Sequence, residues 1–498
     1  HKTLDDLCLE MQFVPGTPKL YGSRKSVYDK FSYAEPDLEN INRSHGESEV
    51  VNDEAEKRNK EYWNERRKLP LSNAESRMGD MMPTLRKKPL LYWTEKILKP
   101  FINGYITTGN PSMFNIGPVN TTVSYNTAEG VRFRLGGMTT TALSPHLFAK
   151  GYVAYGLKDE KFKYMGELEY SFYQKKYTAR EFPVNSIRAR YQYDIDQIGQ
   201  HYVFTNADNV FLSLKRKKSD LITYRRLAQI EYNLELRNNL SFGLELRHET
   251  QEATHWVPFV NGVGEISGRF RQSVLKMSVR YAPGEKFVAT NSSRLLVNKD
   301  APIFILTHEY GPKGFLGADF TLNKTEISAQ KRFWFSSFGY TDVILKGGIL
   351  WSQVLFPALL WQNANISYTI QPESYTLLNP MEFAMDKYAS LDLTYFMNGL
   401  IFNRLPLIKK LKLREVFTFK GFMGNLSRKN NPEYNSNLYR FPENANVRPM
   451  GKTPYMEIGV GLDNILTILR VDYVWRLTYK DLPGVDTRGV RISLHFSF

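Results

Sequence analysis

The sequence predicts an all-β fold: a transmembrane antiparallel β-barrel of about 16 strands, preceded by a short α-helical periplasmic connector. Three observations predict it. From about Phe114 onward, apolar and polar residues alternate with period two. The alternating runs reach roughly 10–14 residues, whereas soluble strands average about 5–6 and a tilted strand needs about 9–11 to cross a bilayer. Aromatics make up 14% of the 498 residues, and Trp334, Trp351, Trp475 and Tyr479 stand near strand ends, where interfacial girdles form.

The last strand shows the alternation most clearly. Val490, Ile492, Leu494, Phe496 and Phe498 share one face, and Arg491, Ser493, His495 and Ser497 the other. Before it, Leu469, Val471, Tyr473, Trp475, Leu477 and Tyr479 oppose Arg470, Asp472, Arg476 and Lys480. The same rule places strands near 116–125, 130–142, 146–158, 161–174, 185–195, 222–237, 239–250, 266–282, 302–310, 324–336, 338–352, 386–398, 409–423, 453–463, 466–480 and 487–498. Long connectors then gather at one end (196–221, 251–265, 311–323, 353–385, 424–452) and short turns at the other, with 283–301 as the exception. This is the long-outside, short-periplasmic pattern, with both barrel ends periplasmic. Glu415 falls on the apolar side of its strand, which implies a bulge or an interfacial position. The apolar stretch 353–364 is expected either in the lumen or on the membrane surface.

Ahead of the barrel, residues 1–52 read as the remnant of a periplasmic N-terminal region and a loop, and 53–113 as the helical connector. Asp53–Lys68 has helical composition and Pro70 ends it. Ser72 and Glu75 have capping-box spacing. A further helical stretch runs from about Leu90 to Ile102.

Composition excludes several classes. No run of roughly 18 apolar residues occurs, so no transmembrane helix is expected. Net charge is +15, but Lys and Arg are scattered through the alternating segments rather than gathered, so no nucleic-acid partner is expected. One cysteine, Cys8, excludes a disulfide framework and a Cys-rich metal site. Among eight histidines there is no HExxH, and neither GxSxG nor a Walker A sequence occurs. His248 near Glu249 and His255, and His308 beside Glu309, read as structural polar groups. The expectation is no enzyme, no cofactor, no catalytic residue and no metal.

Inward-facing basic residues are the chemical feature that remains. Arg132, Arg134, Arg188, Arg190, Arg470 and Arg476 are placed in the lumen, along with Arg269, Arg271, Lys410, Lys412 and Arg414. Interspersed carboxylates such as Glu167, Glu231 and Asp472 favour mutual neutralisation over an electropositive conduit for anions.

Three stretches carry a resemblance. Gly117 to Tyr164, Asn403 to Val416 and Thr453 to Leu477, with the Pro-Leu turn at Leu69 to Leu71, resemble a family of Bacteroidota outer-membrane barrels of unknown function that carry an N-terminal carboxypeptidase-regulatory-like domain. The resemblance spans roughly residues 55–498. More distantly, the chain resembles the BamA-like outer-membrane assembly factors, although the Arg-Gly-Phe/Tyr tripeptide of that superfamily's sixth outer loop is absent from 353–385. The resemblance implies a location in the outer membrane of a Gram-negative bacterium, among lipids that include lipopolysaccharide. It also implies a part in protein or lipoprotein transport, insertion or surface export, with surface lipoproteins or periplasmic factors as partners.

By the same analogy, a weak lateral seam would join the first and last strands: Val119, Thr121, Val123 and Tyr125 against Val490, Ile492, Leu494, Phe496 and Phe498. Pro118 would shorten that ladder, since proline donates no hydrogen bond. The alternative is a scaffold barrel that docks surface lipoproteins or other complex subunits without transport.

Overall fold

Period-two alternation puts successive side chains on opposite faces of a strand, so long alternating runs pair into a sheet with two chemically distinct faces. The computed structural model describes residues 4–11, 20–28, 58–71, 75, 87–89, 92–93, 96, 100–101, 103–109, 111–202, 206–218, 220–289 and 294–495. They fall into two units, His1–Gly104 and Tyr105–Phe498.

The first unit contains an antiparallel hairpin, Leu4–Met11 with Leu20–Val27, in a stretch whose sequence shows little pattern. It also contains a helix, α1 (Lys60–Arg66), inside the segment expected to be helical. Asn59 caps α1, its Oδ1 accepting from the Tyr62 amide at 3.0 Å, which satisfies one of the orphan donors of a helix start. Ser72 of the capping box and most of 90–102 lie outside the described residues.

The second unit is built on one antiparallel sheet of 18 strands, and its described helical residues are confined to single 3-10 turns. A two-residue strand, Ile106–Thr107, comes first. The next strand is broken into β1a (Phe114–Ile116) and β1b (Val123–Asn126), and both pieces pair with β2 (Gly130–Thr139). Then follow β3 (Leu147–Gly156), β4 (Phe162–Ser171), β5 (Asn185–Gln197), β6 (Ile222–Glu235), β7 (Leu240–Glu252), β8 (Arg269–Tyr281) and β9 (Ile303–Gly311). The rest are β10 (Leu322–Trp334), β11 (Tyr340–Leu350), β12 (Lys387–Phe396), β13 (Arg414–Asn425), β14 (Tyr455–Ile465), β15 (Leu469–Arg476) and β16 (Arg488–Leu494). From β2 to β16 each strand pairs antiparallel with the next.

The two faces are inverted relative to a sheet folded in water. On β4, Phe162, Tyr164, Leu168 and Tyr170 are exposed while Lys163, Met165, Glu167, Glu169 and Ser171 are buried. Leu168 is 56% exposed and Lys163 0%. Burying an apolar side chain is the main favourable term in folding, yet here the leucines face out and the charges face in.

The apolar core lies instead under the long connectors at one end of the sheet. Val354, Leu355, Phe356, Leu359 and Leu360 pack with Val257, Phe259, Phe270, Phe320 and Leu438. Within 353–364, the apolar residues Val354, Leu355, Phe356, Leu359 and Leu360 are thus buried in this core. At the opposite end, the long turn 282–302 carries its own hairpin, Phe287–Ala289 with Arg294–Leu296, held by Arg294 on Glu235 at 2.8 Å.

Several strand starts differ from the reading by periodicity. Val119 and Thr121 lie in a 3-10 turn, Val119–Thr121, that follows Pro118 and separates β1a from β1b. Lys410 sits in the 3-10 turn Ile408–Leu411, and Lys412 at its end has φ 54°, so β13 begins only at Arg414 and neither lysine belongs to a strand. Arg269 and Arg271 open β8 in solvent rather than facing an enclosed interior, Arg271 meeting Asp319 at 3.3 Å. Glu415 needs no bulge, because the β13–β14 register runs unbroken from Arg414 to Phe422. Its carboxylate is buried at the strand end and accepts from the Ile401 and Phe402 amides.

Gly339 closes the β10–β11 turn with φ +94°, and a Cβ there would lie 1.9 Å from the Phe396 carbonyl oxygen. Both the backbone angle and the contact exclude a side chain. Gly339→Ala is expected to cost about 1–3 kcal/mol, seen as a lower unfolding midpoint of the purified protein. An unchanged midpoint would show that the turn relaxes freely.

Candidate functional site

The inward face of the sheet is the candidate site, and it is built on ion pairs. Arg132 donates to Asp194 through Nη1 at 2.6 Å and Nη2 at 2.9 Å, and reaches Glu129 at 3.0 Å. Lys163 meets Glu129 at 2.8 Å and Asp159 at 2.5 Å. The Tyr152 hydroxyl also donates to Asp194. Arg134 takes both oxygens of Asp208, at 2.9 and 2.7 Å, and its guanidinium lies 3.7 Å from the Tyr152 ring centroid.

The other four arginines singled out from the sequence are paired too: Arg188 with Glu231, Arg190 with Glu167 at 2.9 Å, Arg470 with Asp472 at 2.7 Å, and Arg476 with Glu382 at 2.6 Å. All six arginines singled out from the sequence thus lie against carboxylates. A desolvated charge needs such a partner, because an unpaired ion in an enclosed interior costs several kcal/mol.

Two of those carboxylates come from long connectors rather than from strands or tight turns. Asp208 belongs to 198–221, and Glu382 to 351–386. The second connector is tied to the wall at further points. Glu457 accepts from the Thr376 and Leu377 amides at 2.7 and 3.0 Å. Lys420 donates to the Ser374 carbonyl at 2.9 Å, and Arg491 to the Thr376 carbonyl at 2.6 Å. Glu373 pairs with Lys346. Tyr375 donates to the Gly421 carbonyl at 3.2 Å. Burial first, then the nearby Asp392 and Glu457 carboxylates, hold its phenol well above the ordinary range. Space remains beside these pairs. One cavity of about 340 Å³ is lined by residues including Arg134, Lys150, Arg190, Asp196 and Lys215, and another of about 600 Å³ by residues including Lys299, Arg332, Lys412, Asp463 and His495.

The edges of β1b and β16 form the second part of the site. Val123 and Tyr125 on one edge, and Val490, Ile492 and Leu494 on the other, present exposed apolar side chains. Phe496 and Phe498 lie outside the described residues. The direct ladder expected between 116–125 and 487–498 does not form among the described residues. The Ile492 amide donates to the Tyr368 carbonyl at 2.9 Å, and its carbonyl accepts from the Ile370 amide at 3.0 Å. The Tyr125 amide donates to Ser213 Oγ at 3.0 Å. Connector segments occupy both edges because Pro118 and the 3-10 turn after it deny β1 a continuous strand.

The described histidines do not converge. His248 lies 2.8 Å from Ser273 Oγ, while Glu249, one residue on in the strand, belongs to the opposite face near Arg225 and Arg247. His308 meets Thr325 Oγ1 at 2.9 Å, and His495 meets Asp463 at 2.8 Å. No group of three metal-ligating side chains occurs among the described residues.

Periodicity alone does not reveal Asp208, Glu382 or Glu457 as anchors, since each pairs across long sequence separations. The segment Ile366–Ile370 carries a signal: Ile-Ser-Tyr-Thr-Ile alternates with period two inside a stretch read as a loop.

Glu382→Ala would leave Arg476, 1% exposed, without its carboxylate. The expected cost is about 3–5 kcal/mol, together with faster protease cleavage within 351–386. The swap Glu382→Arg with Arg476→Glu should recover part of the loss. Equal cleavage rates in wild type and Glu382→Ala would show that this pair does not hold the connector.

No curated protein matches the chain. Among solved structures it is similar to BamA from Haemophilus ducreyi lacking POTRA domains 1-3, at 10% identity over 78% of this chain and 74% of that one, with a TM-score of 0.44. It is also similar to CdiB from Acinetobacter baumannii, at 11% identity over 74% of this chain and 57% of that one, with a TM-score of 0.36. A family model matches residues 98–435, and the chain belongs to that family, described as a family of unknown function (DUF5686), C-terminal domain.

Proposed function

We propose that the sheet closes into a barrel in the outer membrane of a Gram-negative bacterium, and that the barrel takes part in protein or lipoprotein transport, insertion or surface export. The inverted faces support the membrane setting: hydrocarbon is the solvent in which exposed Leu135, Phe162 and Leu168 carry no penalty. Closure is supported by a strand order that sets β16 beside Ile106–Thr107. The sequence segments quoted above support placing the protein with the Bacteroidota barrels that carry a regulatory-like domain.

The observation that carries the transport reading is the interruption between β16 and β1b. A sheet edge with unpaired main-chain groups is a template for another strand. Here those edges are held by short connector segments and the two-residue strand Ile106–Thr107 instead of a continuous ladder. Surface lipoproteins or periplasmic factors would be the protein partners, and membrane lipids including lipopolysaccharide the surroundings. The second reading, a docking scaffold without transport, is favoured by one feature: the connectors 253–268, 351–386 and 426–454 share a single apolar core, which makes a firm surface.

Two measurements test this function. Leu168→Arg should destabilise the protein folded into vesicles by about 2–4 kcal/mol if that side chain faces hydrocarbon. A change within about 0.5 kcal/mol, as for an ordinary exposed position in water, would count against the membrane setting. Depletion of the protein in its host should lower surface-lipoprotein or outer-membrane protein content. Unchanged content, with partner complexes lost, would favour the scaffold.

A further inference from the structure

The gap between β16 and β1b is filled in a specific way. Thr369 forms a parallel bridge with Ile492 of β16, and Ser367 an antiparallel bridge with Lys215. The Arg216 amide donates to the Ile366 carbonyl at 2.8 Å, and the Tyr368 amide to the Leu214 carbonyl at 3.3 Å. Ser213 then meets Tyr125 of β1b at 3.0 Å. Two connector segments, 366–370 and 213–216, therefore span the gap from edge to edge.

They also reproduce the sidedness of the wall they complete. Ser367 is buried, while Tyr368 and Leu214 are exposed, at 52% and 69%, as Tyr125 and Ile492 are on the strands beside them; Ile366, where the segment leaves the wall, is buried.

We propose that 366–370 is a resident strand that keeps the seam shut, and that the seam opens when an extended, amphipathic β-segment of a client protein replaces it along β16. This rests on the seam reading above and adds its occupant and its client. The resident is weakly held on the strand side: it makes two main-chain bonds to Ile492, whereas β15 and β16 are in register over seven residue pairs. A client strand able to continue along Val490 and Leu494 gains more pairing than the resident gives up. Apart from its main-chain bonds to 213–216, the resident's other ties are local. Asn365 Nδ2 donates to the Thr369 carbonyl at 2.7 Å, and Ser367 Oγ lies 2.8 Å from Thr369 Oγ1. The neighbouring segment is latched to the turn before β16: Arg216 pairs with Asp486, and Lys217 meets Asp486 at 3.3 Å and the Gly484 carbonyl at 2.6 Å.

The test uses the full chain with Cys8→Ser, then Thr369→Cys and Ile492→Cys together. In native membranes these cysteines should cross-link on mild oxidation in most molecules. Cross-linking should abolish delivery of client protein, and a reductant should restore it. Absence of a cross-link in folded protein would overturn the resident strand, and full cross-linking with unchanged delivery would overturn its replacement. A second variant needs no client. Ile370→Pro removes the amide that donates to Ile492, and should raise ion conductance in planar bilayers several-fold over wild type. Equal conductance would contradict the seal, whereas raised conductance in a protein whose depletion leaves outer-membrane content unchanged would keep the seal and refute only the transport role.

Discussion

A buried charge must find an opposite charge or a main-chain partner, and that requirement organises the second unit of this protein. Its inward strand positions carry Arg132, Lys163, Lys346, Lys420, Glu457, Arg476 and Arg491, and at an enclosed position an ion left alone costs more than most single contacts return. Strand neighbours satisfy some of them, as Glu167 does for Arg190. Others are satisfied only because connectors turn inward with the complementary group: Asp208 for Arg134, Glu373 for Lys346 and Glu382 for Arg476. The polar wall thus dictates where the connectors lie, and once they lie there, their apolar residues meet. The cluster of Val354, Phe356 and Leu360 against Phe259 and Phe270 is a consequence of that placement, and it supplies the hydrophobic burial that the strands, facing their leucines outward, do not.

The same reasoning links the interior to the edges. Residues 351–386 form one connector, anchored inside by Glu457 and Arg476 and ending at the wall as the strand-like segment 366–370. Anything that loosens the interior anchors changes how firmly the seam is filled. The proposed opening is therefore an exchange of main-chain partners at one edge, set against ion pairs that stay in place behind it. The pairs fix the position of the connector, and the two bonds to Ile492 set how easily it yields that edge.

Much of the fold was legible in the sequence because a two-residue period is a strong local signal. Fifteen of the sixteen expected strands each overlap one strand of the sheet, and the first, 116–125, meets the two fragments β1a and β1b. The discrepancies arise where a local break overrides the period. Pro118 turns Val119 and Thr121 out of the ladder, and the left-handed conformation of Lys412 delays β13. The site was legible in part. Inward positions of Arg132, Arg188 and Arg476 follow from alternation, but their partners do not, since Asp194 and Glu382 lie 62 and 94 residues away in the chain. The seam shows the same division: the weakness of β1 is written in Pro118, whereas the identity of the segment that fills the gap depends on how a long connector folds back.

Everything proposed for this protein requires that the outward face of the sheet be made for hydrocarbon. The most direct measurement is the behaviour of the purified, folded chain when detergent is removed in the presence and absence of lipid vesicles. The account predicts that it floats with vesicles through a density gradient, resists extraction by alkaline carbonate, and precipitates when no lipid is offered. A monodisperse, folded protein in plain buffer would contradict it.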